Sequence, residues 1–262
     1  MSAAPIGLIA GSGRLPVLFA EAAERAGRSV VAVAHEGETD RGLNARAWVK
    51  VGQLGRIVEI LRLAGVEEAV LCGGIRKPRL LDVRPDWLGL KVLTRLRGGG
   101  DDTALRAIAK ALEEEGIRIV SPLPLVPELL VPRGPLGKRQ MNDEQRADAS
   151  AGLAAARALG RADVGQTVVV KRGVILAVEA VEGTDACIAR GGTFAAGAVV
   201  VKARKPQQDD RFDVPAVGPR TVEACSAAGC SALAIEAGVT LVLDRAELID
   251  KADRAGIAVE GI

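Results

Sequence analysis

The densest set of side chains able to handle phosphate lies in Lys205–Asp213, Lys-Pro-Gln-Gln-Asp-Asp-Arg-Phe-Asp, with Lys202 just upstream. Here Lys202, Lys205 and Arg211 flank Asp209, Asp210 and Asp213. Pro206 and Pro215 keep the stretch out of regular ladders and leave a shaped loop. A loop with both signs of charge can hold Mg²⁺ through carboxylates while its cations neutralise phosphate oxygens. Oxygen-only ligands suit Mg²⁺ or Mn²⁺ better than zinc. For charge density taken alone, a solvated salt-bridged loop is the plainer account. A second cluster, Glu182-Gly183-Thr184-Asp185, ends an apolar strand with two acids, a flexible glycine and a hydroxyl. Glu179, just before it, falls where a core residue is expected, and a buried carboxylate needs a partner.

Two glycine turns supply the other candidate contacts. Gly11-Ser12-Gly13 follows an apolar strand, and glycines there let backbone N–H groups and a helix N-terminus approach an anion. Pro16 occupies the place of the third glycine, so the dinucleotide fingerprint is incomplete. Gly73-Gly74-Ile75-Arg76-Lys77 is a second such turn, with two cations beside it. For either turn alone, ordinary tight-turn glycine is the favoured account. At Gly100-Asp101-Asp102-Thr103 a helix start needs only one of the two carboxylates, Asp101 or Asp102, as a cap, which leaves the second for a ligand or a metal, with capping the plainer account of at least one. His35 is the single histidine, so acid–base work falls to Asp, Glu or Lys.

The elements that must position these residues follow from periodicity. Ile6–Ala10, Ser29–Ala34, Glu68–Cys72 and Ile117–Val120 are apolar runs, and helices at Val17–Ala26, Leu54–Ala64, Trp87–Leu96 and up to Glu115 separate them. Strand–helix alternation with glycines at strand ends predicts an α/β fold with an open, doubly wound parallel sheet. Five prolines between Ser121 and Gly137 mark a passage between domains. The expected domains are therefore 1–130 and 131–262. In the second, a helix at Asp143–Leu159 precedes a hairpin, Thr167–Lys171 with Val174–Glu179. A strand at Ala198–Lys202, a helix at Pro219–Ala228, strands at Ala232–Glu236 and Thr240–Leu243, a helix at Arg245–Ala255 and a strand at Ile257–Val259 complete a mixed α/β domain.

Composition removes several function classes. Of 262 residues only 2% are aromatic and none is Tyr, too few for base-stacking platforms. A net charge of +2 carries no nucleic-acid signature. Cys72, Cys187, Cys225 and Cys230 lack CxxC spacing and read as inert buried thiols. No signal peptide and no run of 18 apolar residues is present, so a cytoplasmic protein with at most peripheral membrane contact is expected.

Taken in order, Gly7–Pro16 (GLIAGSGRLP), Gly73–Pro78 (GGIRKP), Gly100–Asp102, Asp163–Val170 (DVGQTVVV), Leu176–Ala186 (LAVEAVEGTDA) and Val201–Ala224 resemble the LpxI-type UDP-2,3-diacylglucosamine pyrophosphatases over essentially the whole chain. Where some relatives carry a longer insertion, this chain has only GGTFAAGAVVV between Arg190 and Lys202. The resemblance implies hydrolysis of UDP-2,3-diacylglucosamine to lipid X (2,3-diacylglucosamine 1-phosphate) and UMP in lipid A synthesis. It implies Mg²⁺-assisted attack of water at the α-phosphorus and a glycolipid held between a Rossmann-like and a catalytic domain. The family's key acid falls on Asp213. Asp185 or Glu182 is then its carboxylate partner, with Asp213 and Asp185 as metal ligands. Thr184, Lys202, Lys205, Gln208 and Arg211 are expected to bind substrate, with Gly11, Ser12, Gly13, Gly73, Gly74, Lys77 and Asp102 from the first domain. A homodimer and peripheral contact with the cytoplasmic face of the inner membrane are further expectations of this resemblance, and no nucleic-acid partner is expected. Two rivals are an NAD(P)-dependent oxidoreductase, which draws on the incomplete fingerprint, and a non-catalytic nucleotide-sugar or lipid carrier.

Overall fold

The computed structural model describes residues 4–75, 85–95 and 101–262, without the side chains of 101 and 102. The chain divides into two compact units, Met1–Pro127 with Asp209–Asp213, and Glu128–Gln208 with Val214–Ile262.

The first unit carries β1 (Ile6–Ala10), α1 (Leu15–Arg25), β2 (Val30–His35), β3 (Ala47–Val49), α2 (Leu54–Leu63), β4 (Glu68–Cys72), α3 (Trp87–Arg95), α4 (Asp101–Glu114) and β5 (Arg118–Ile119). Its strands form one sheet in the order β3-β2-β1-β4-β5, every neighbour parallel. This is the doubly wound Rossmann-like sheet expected from the sequence. All five residues of β1 are buried, as a central parallel strand covered on both faces requires. Helix α2 buries Leu54, Ile57, Val58, Ile60 and Leu61 at helical spacing. Phe212 joins this core, its ring flanked by the guanidinium groups of Arg211 at 4.7 Å and Arg106 at 5.6 Å. That contact accounts for the grouping of Asp209–Asp213 with the first unit.

Strand order reverses between β1 and β4, and their carboxyl ends carry the two glycine turns. Those turns are packed against each other. The Gly11 N–H donates to Cys72 O at 2.7 Å, and Ser12 donates to Gly74 O through both its N–H (2.6 Å) and its Oγ (2.8 Å). A Cβ on Gly11 would lie 2.4 Å from Gly74 O, and one on Gly73 would lie 2.3 Å from Ser12 O. The glycines are thus required by one backbone's approach to the other, and the Gly11 and Ser12 N–H groups are spent inside the unit.

The second unit carries β6 (Gly134–Pro135), α5 (Asp143–Arg161), β7 (Thr167–Lys171), β8 (Val174–Val178), α6 (Thr184–Gly192), β9 (Val199–Lys202), β10 (Ala216–Val217), α7 (Pro219–Ala227), β11 (Ala232–Ile235), β12 (Leu241–Val242), α8 (Arg245–Ala255) and β13 (Ala258–Gly261). Six strands run in the order β6-β13-β11-β9-β7-β8, parallel in the middle three and antiparallel towards both edges. Pro135 lies in an edge strand, where the missing N–H is tolerated. Strands β10 and β12 form a separate parallel pair. Val168, Val170, Val199 and Val201 pack with Ala149 and Ala156 of α5, while Val169 and Val200 pack with residues of α6, α7 and α8. This alternation of faces explains why the strands read as unbroken apolar runs. Helix α5 opens with a reciprocal cap: Asn142 Oδ1 accepts from Gln145 N at 2.8 Å, and Gln145 Oε1 accepts from Asn142 N at 2.9 Å.

Several elements depart from the sequence expectation, the two-residue strands β6 and β10 among them. Strand β3 was not foreseen, because three residues are too few to show a period. Residues 184–192, to which the sequence reading assigns no element, form helix α6. Cys230, expected on a helix with Cys225, lies beyond the end of α7.

The glycine packing gives a test. Gly11→Ala is expected to cost roughly 3 kcal/mol through overpacking against backbone. Gly13→Ala meets nothing within 4 Å but sits at φ +87°, and is expected to cost about 1 kcal/mol. Urea melts of the two variants check the order, and equal losses would contradict the packing argument.

Candidate active site

In the second unit the polar residues gather where β9 ends. Lys202 is the last residue of β9 and is only 7% exposed, although the three residues before it are apolar and buried. Its register partner on the antiparallel side is Thr167, the first residue of β7. Strand β8 stops at Val178, and Glu179 follows at 9% exposure. Gly183, at φ +83°, then turns the chain so that α6 begins at Thr184. The turn brings Thr184 back to the strand ends. Lys202 Nζ donates to Thr184 Oγ1 at 3.0 Å, and Thr184 Oγ1 donates to Glu179 Oε1 at 2.9 Å. Glu179 Oε2 accepts from Gln166 N at 3.3 Å, and Thr167 Oγ1 lies 3.4 Å from Thr184 Oγ1. The partner that a buried Glu179 demands is therefore a hydroxyl that also holds a lysine.

Of the other nominated residues of this unit, Glu182, Asp185 and Lys205 are more exposed and directly paired, and Gln208 is buried. Glu182 Oε1 accepts from Arg190 at 2.5 Å, and Oε2 accepts from the Ala180 N–H at 3.1 Å. The Arg190 guanidinium holds the Glu182 carboxyl below its usual range. Asp185, in the first turn of α6, accepts from Arg220 at 3.1 Å on an exposed surface. Lys205 Nζ donates to Asp163 Oδ1 at 2.7 Å. Gln208 is buried, its Oε1 accepting from the Lys205 N–H at 3.2 Å and its carbonyl from Arg204 at 2.6 Å. Asp163, Arg190 and Arg220 were missed as partners because nothing local in the sequence marks them.

The first unit holds the rest of the charged loop. Arg211 donates to Asp209 from Nε at 3.0 Å and from its terminal nitrogen at 2.9 Å, and Arg106 adds a contact at 3.2 Å. Arg211 chiefly, with Arg106 behind it, lowers the Asp209 carboxyl from its usual range. Asp213 is exposed, and its N–H donates to Asp209 O at 3.2 Å. Segment 205–213, one loop in the sequence, is therefore divided: Lys205–Gln208 belong to the second unit and Asp209–Asp213 to the first. Lys77 lies outside the described residues, and Asp102 is placed only by its backbone at the start of α4.

His35 closes β2 at 3% exposure, with Nδ1 2.8 Å from Ala10 O. A carbonyl can only accept, so Nδ1 carries the proton in the neutral ring. Thr39 Oγ1 donates to the same carbonyl at 2.7 Å and accepts from the His35 N–H at 2.9 Å. The imidazole is thereby anchored through Nδ1 at the end of β2. All four cysteines are buried free thiols, and burial pushes Cys187 up to about 12, which leaves no thiolate at neutral pH.

Among the described residues no group of three or more His, Cys, Asp or Glu side chains is arranged to hold a metal ion. Mg²⁺ does not need such a cage, since it is usually bound by one or two carboxylates with waters and substrate phosphate oxygens. Asp213 in the first unit and Asp185 in the second are each exposed and oxygen-donating, so either one singly has the chemistry of such a carboxylate.

A doubly wound nucleotide-type sheet, with a second α/β unit whose strand ends gather lysine, threonine and carboxylates, defines a two-unit α/β enzyme. Comparison with known proteins narrows the class. Residues 5–129 match the LpxI N-terminal domain and residues 132–260 the LpxI C-terminal domain. The chain is 38% identical over 271 residues to UDP-2,3-diacylglucosamine pyrophosphatase LpxI of Caulobacter vibrioides, covering 98% of this chain and 97% of that protein. The chain belongs to the LpxI family, as its motifs led us to expect.

His35 sets a pH dependence. Burial lowers its pKa from the ordinary 6.5, so below that value the unfolded chain binds more protons than the folded one. The stability it contributes is present above 6.5 and is lost as pH falls through the folded value. His35→Gln keeps a donor for Ala10 O but does not titrate. The drop in melting temperature between about pH 7.5 and about pH 5 is expected to be smaller in the variant than in the wild type. An equal drop would contradict the assignment.

Proposed function

We propose that the chain hydrolyses the pyrophosphate bond of UDP-2,3-diacylglucosamine, giving UMP and 2,3-diacylglucosamine 1-phosphate in lipid A synthesis. The observation that carries this reading is the near full-length relation to a protein named for that activity. The geometry of the second unit supports it. Displacement at phosphorus builds charge on phosphate oxygens, and preorganised cations stabilise that charge best in a site shielded from water. Lys202 is such a cation, buried at a strand end and oriented by a hydroxyl. Lys205 and Arg211 pair directly with carboxylates of their own units. Lys205, in the same unit as Lys202, is proposed as an outer contributor to that neutralisation.

In the proposed step the water oxygen bonds to the α-phosphorus and the bond from that phosphorus to the bridging oxygen breaks. The lipid-bearing phosphate leaves with the electron pair, and the water proton passes to a carboxylate. We assign that carboxylate to Asp213, which is exposed and held by its own backbone to Asp209. Mg²⁺ or Mn²⁺, when bound, would add charge neutralisation at the phosphate oxygens, with Asp213 or Asp185 as a proposed ligand.

Peripheral membrane contact is proposed at α3. Leu88 and Val92 are buried there, but Trp87 and Leu90 are 66% and 55% exposed, and Leu63 nearby is 78% exposed. No helix of the described residues is long and apolar enough to cross a membrane. An interfacial helix presenting Trp and Leu is the alternative route to a lipid-borne substrate.

The reaction is tested by UMP release from UDP-2,3-diacylglucosamine with Mg²⁺ and with chelator. Release is expected, and no release under any metal condition would sink the hydrolase reading. Asp213→Ala should lower turnover by at least about a hundredfold while still binding the lipid. Near wild-type turnover would remove Asp213 from the chemistry. For α3, Trp87→Ser with Leu90→Ser should reduce flotation with anionic vesicles, and unchanged flotation would place membrane contact elsewhere.

A further inference from the structure

One buried carboxylate takes no part in the chemistry proposed above. We infer that Glu179 is a positioning residue that acts through the Thr184 hydroxyl to fix the ammonium group of Lys202. The role of that ammonium toward phosphate rests on the hydrolase reading; the relay itself does not.

The direction of the relay follows from donor inventory. A threonine hydroxyl has one proton and two lone pairs, an ammonium group only donates, and a carboxylate only accepts. Thr184 Oγ1 stands 3.0 Å from Lys202 Nζ and 2.9 Å from Glu179 Oε1. Its proton must therefore point to Glu179, which turns a lone pair to Lys202. Reversal would set two acceptors against each other. The second lone pair faces Thr167 Oγ1 at 3.4 Å.

Glu179 is itself held. Its Oε2 accepts from the Gln166 N–H at 3.3 Å, so both carboxylate oxygens are engaged and the group cannot turn. Anchoring at both oxygens suits it to orienting another group. Gln166 stands next to Thr167, which is in register with Lys202. The relay therefore closes on one strand-end corner of the sheet: β7 supplies Thr167, β9 supplies Lys202, the end of β8 supplies Glu179, and the first turn of α6 supplies Thr184. Burial of Lys202 at 7% and Glu179 at 9% makes each need the other's charge nearby. The hydroxyl between them connects the charges without a direct carboxylate contact along this path.

The test uses the full chain. Glu179→Gln and Thr184→Val should each lower kcat/KM for UMP release by about tenfold or more, with circular dichroism showing the fold retained at the assay temperature. Thr184→Ser, which keeps the hydroxyl, should lose less than Thr184→Val. The double variant should be no worse than the poorer single one, since both break one relay. Independently of activity, the Lys202 ammonium signal in ¹H–¹⁵N spectra, assigned by its loss in Lys202→Met, should be slow to exchange in the wild type and broadened in both single variants. Should Glu179→Gln fail to fold, Thr184→Val reads the same relay. Wild-type kinetics in the two single variants, additive losses, or an unchanged ammonium signal would overturn the inference. If the wild type releases no UMP, the hydrolase reading fails while the ammonium signal still decides the relay.

Discussion

An ammonium group taken out of water must be given acceptors, and the second unit is arranged around that requirement at Lys202. Three valines bring β9 through the middle of a sheet covered on both faces, and the strand then ends in a buried lysine. To satisfy it, β8 must stop at Val178, the chain must reverse at Gly183, and a helix must start at Thr184 with its hydroxyl turned inward. The polar corner occupies the carboxyl end of β9 and the entry of β7, where the ladder finishes and side chains can leave the apolar layer. Open α/β sheets place their ligand chemistry at this kind of position.

The first unit solves a different problem by a related economy of space. Two neighbouring parallel strands both end in turns, at the point where strand order reverses. Because Gly11 and Gly73 lack side chains, those turns meet backbone to backbone. The contact uses the N–H groups of Gly11 and Ser12, so the resemblance to a phosphate-cradling loop is stronger in sequence than in hydrogen-bonding capacity. That is a physical reason for the incomplete fingerprint to be a poor guide to a nicotinamide cofactor.

Much of the fold was legible because both sheets are buried on two faces, which turns strands such as Ile6–Ala10 and Val199–Val201 into continuous apolar runs. Helices α2 and α8 announced themselves by period and by glycine or alanine at their ends. What stayed hidden depended on few residues or distant ones. Strand β3 is too short to show alternation, and α6 has two glycines in its last turn and no clear apolar stripe. The site was legible as a set of residue types but not as a set of pairs. Glu179 could be recognised as a buried acid in need of a partner, yet Thr184 and Lys202 reach it only through the turn at Gly183. Pro206, Pro215 and the mixed charges of Lys205–Asp213 made it read as one loop. Its division between the units depends on the burial of Phe212, which no local pattern encodes.

That division has a bearing on how the molecule is made. Phe212 belongs to the core of the first unit, although more than eighty residues of the second unit are synthesised before it. A nascent chain that has emerged only as far as Pro127 contains every strand of the first sheet but still lacks one aromatic side chain of that core. The opening unit can settle into its final packing only after most of the second has left the ribosome, and the maturation of the two halves is coupled through a single ring.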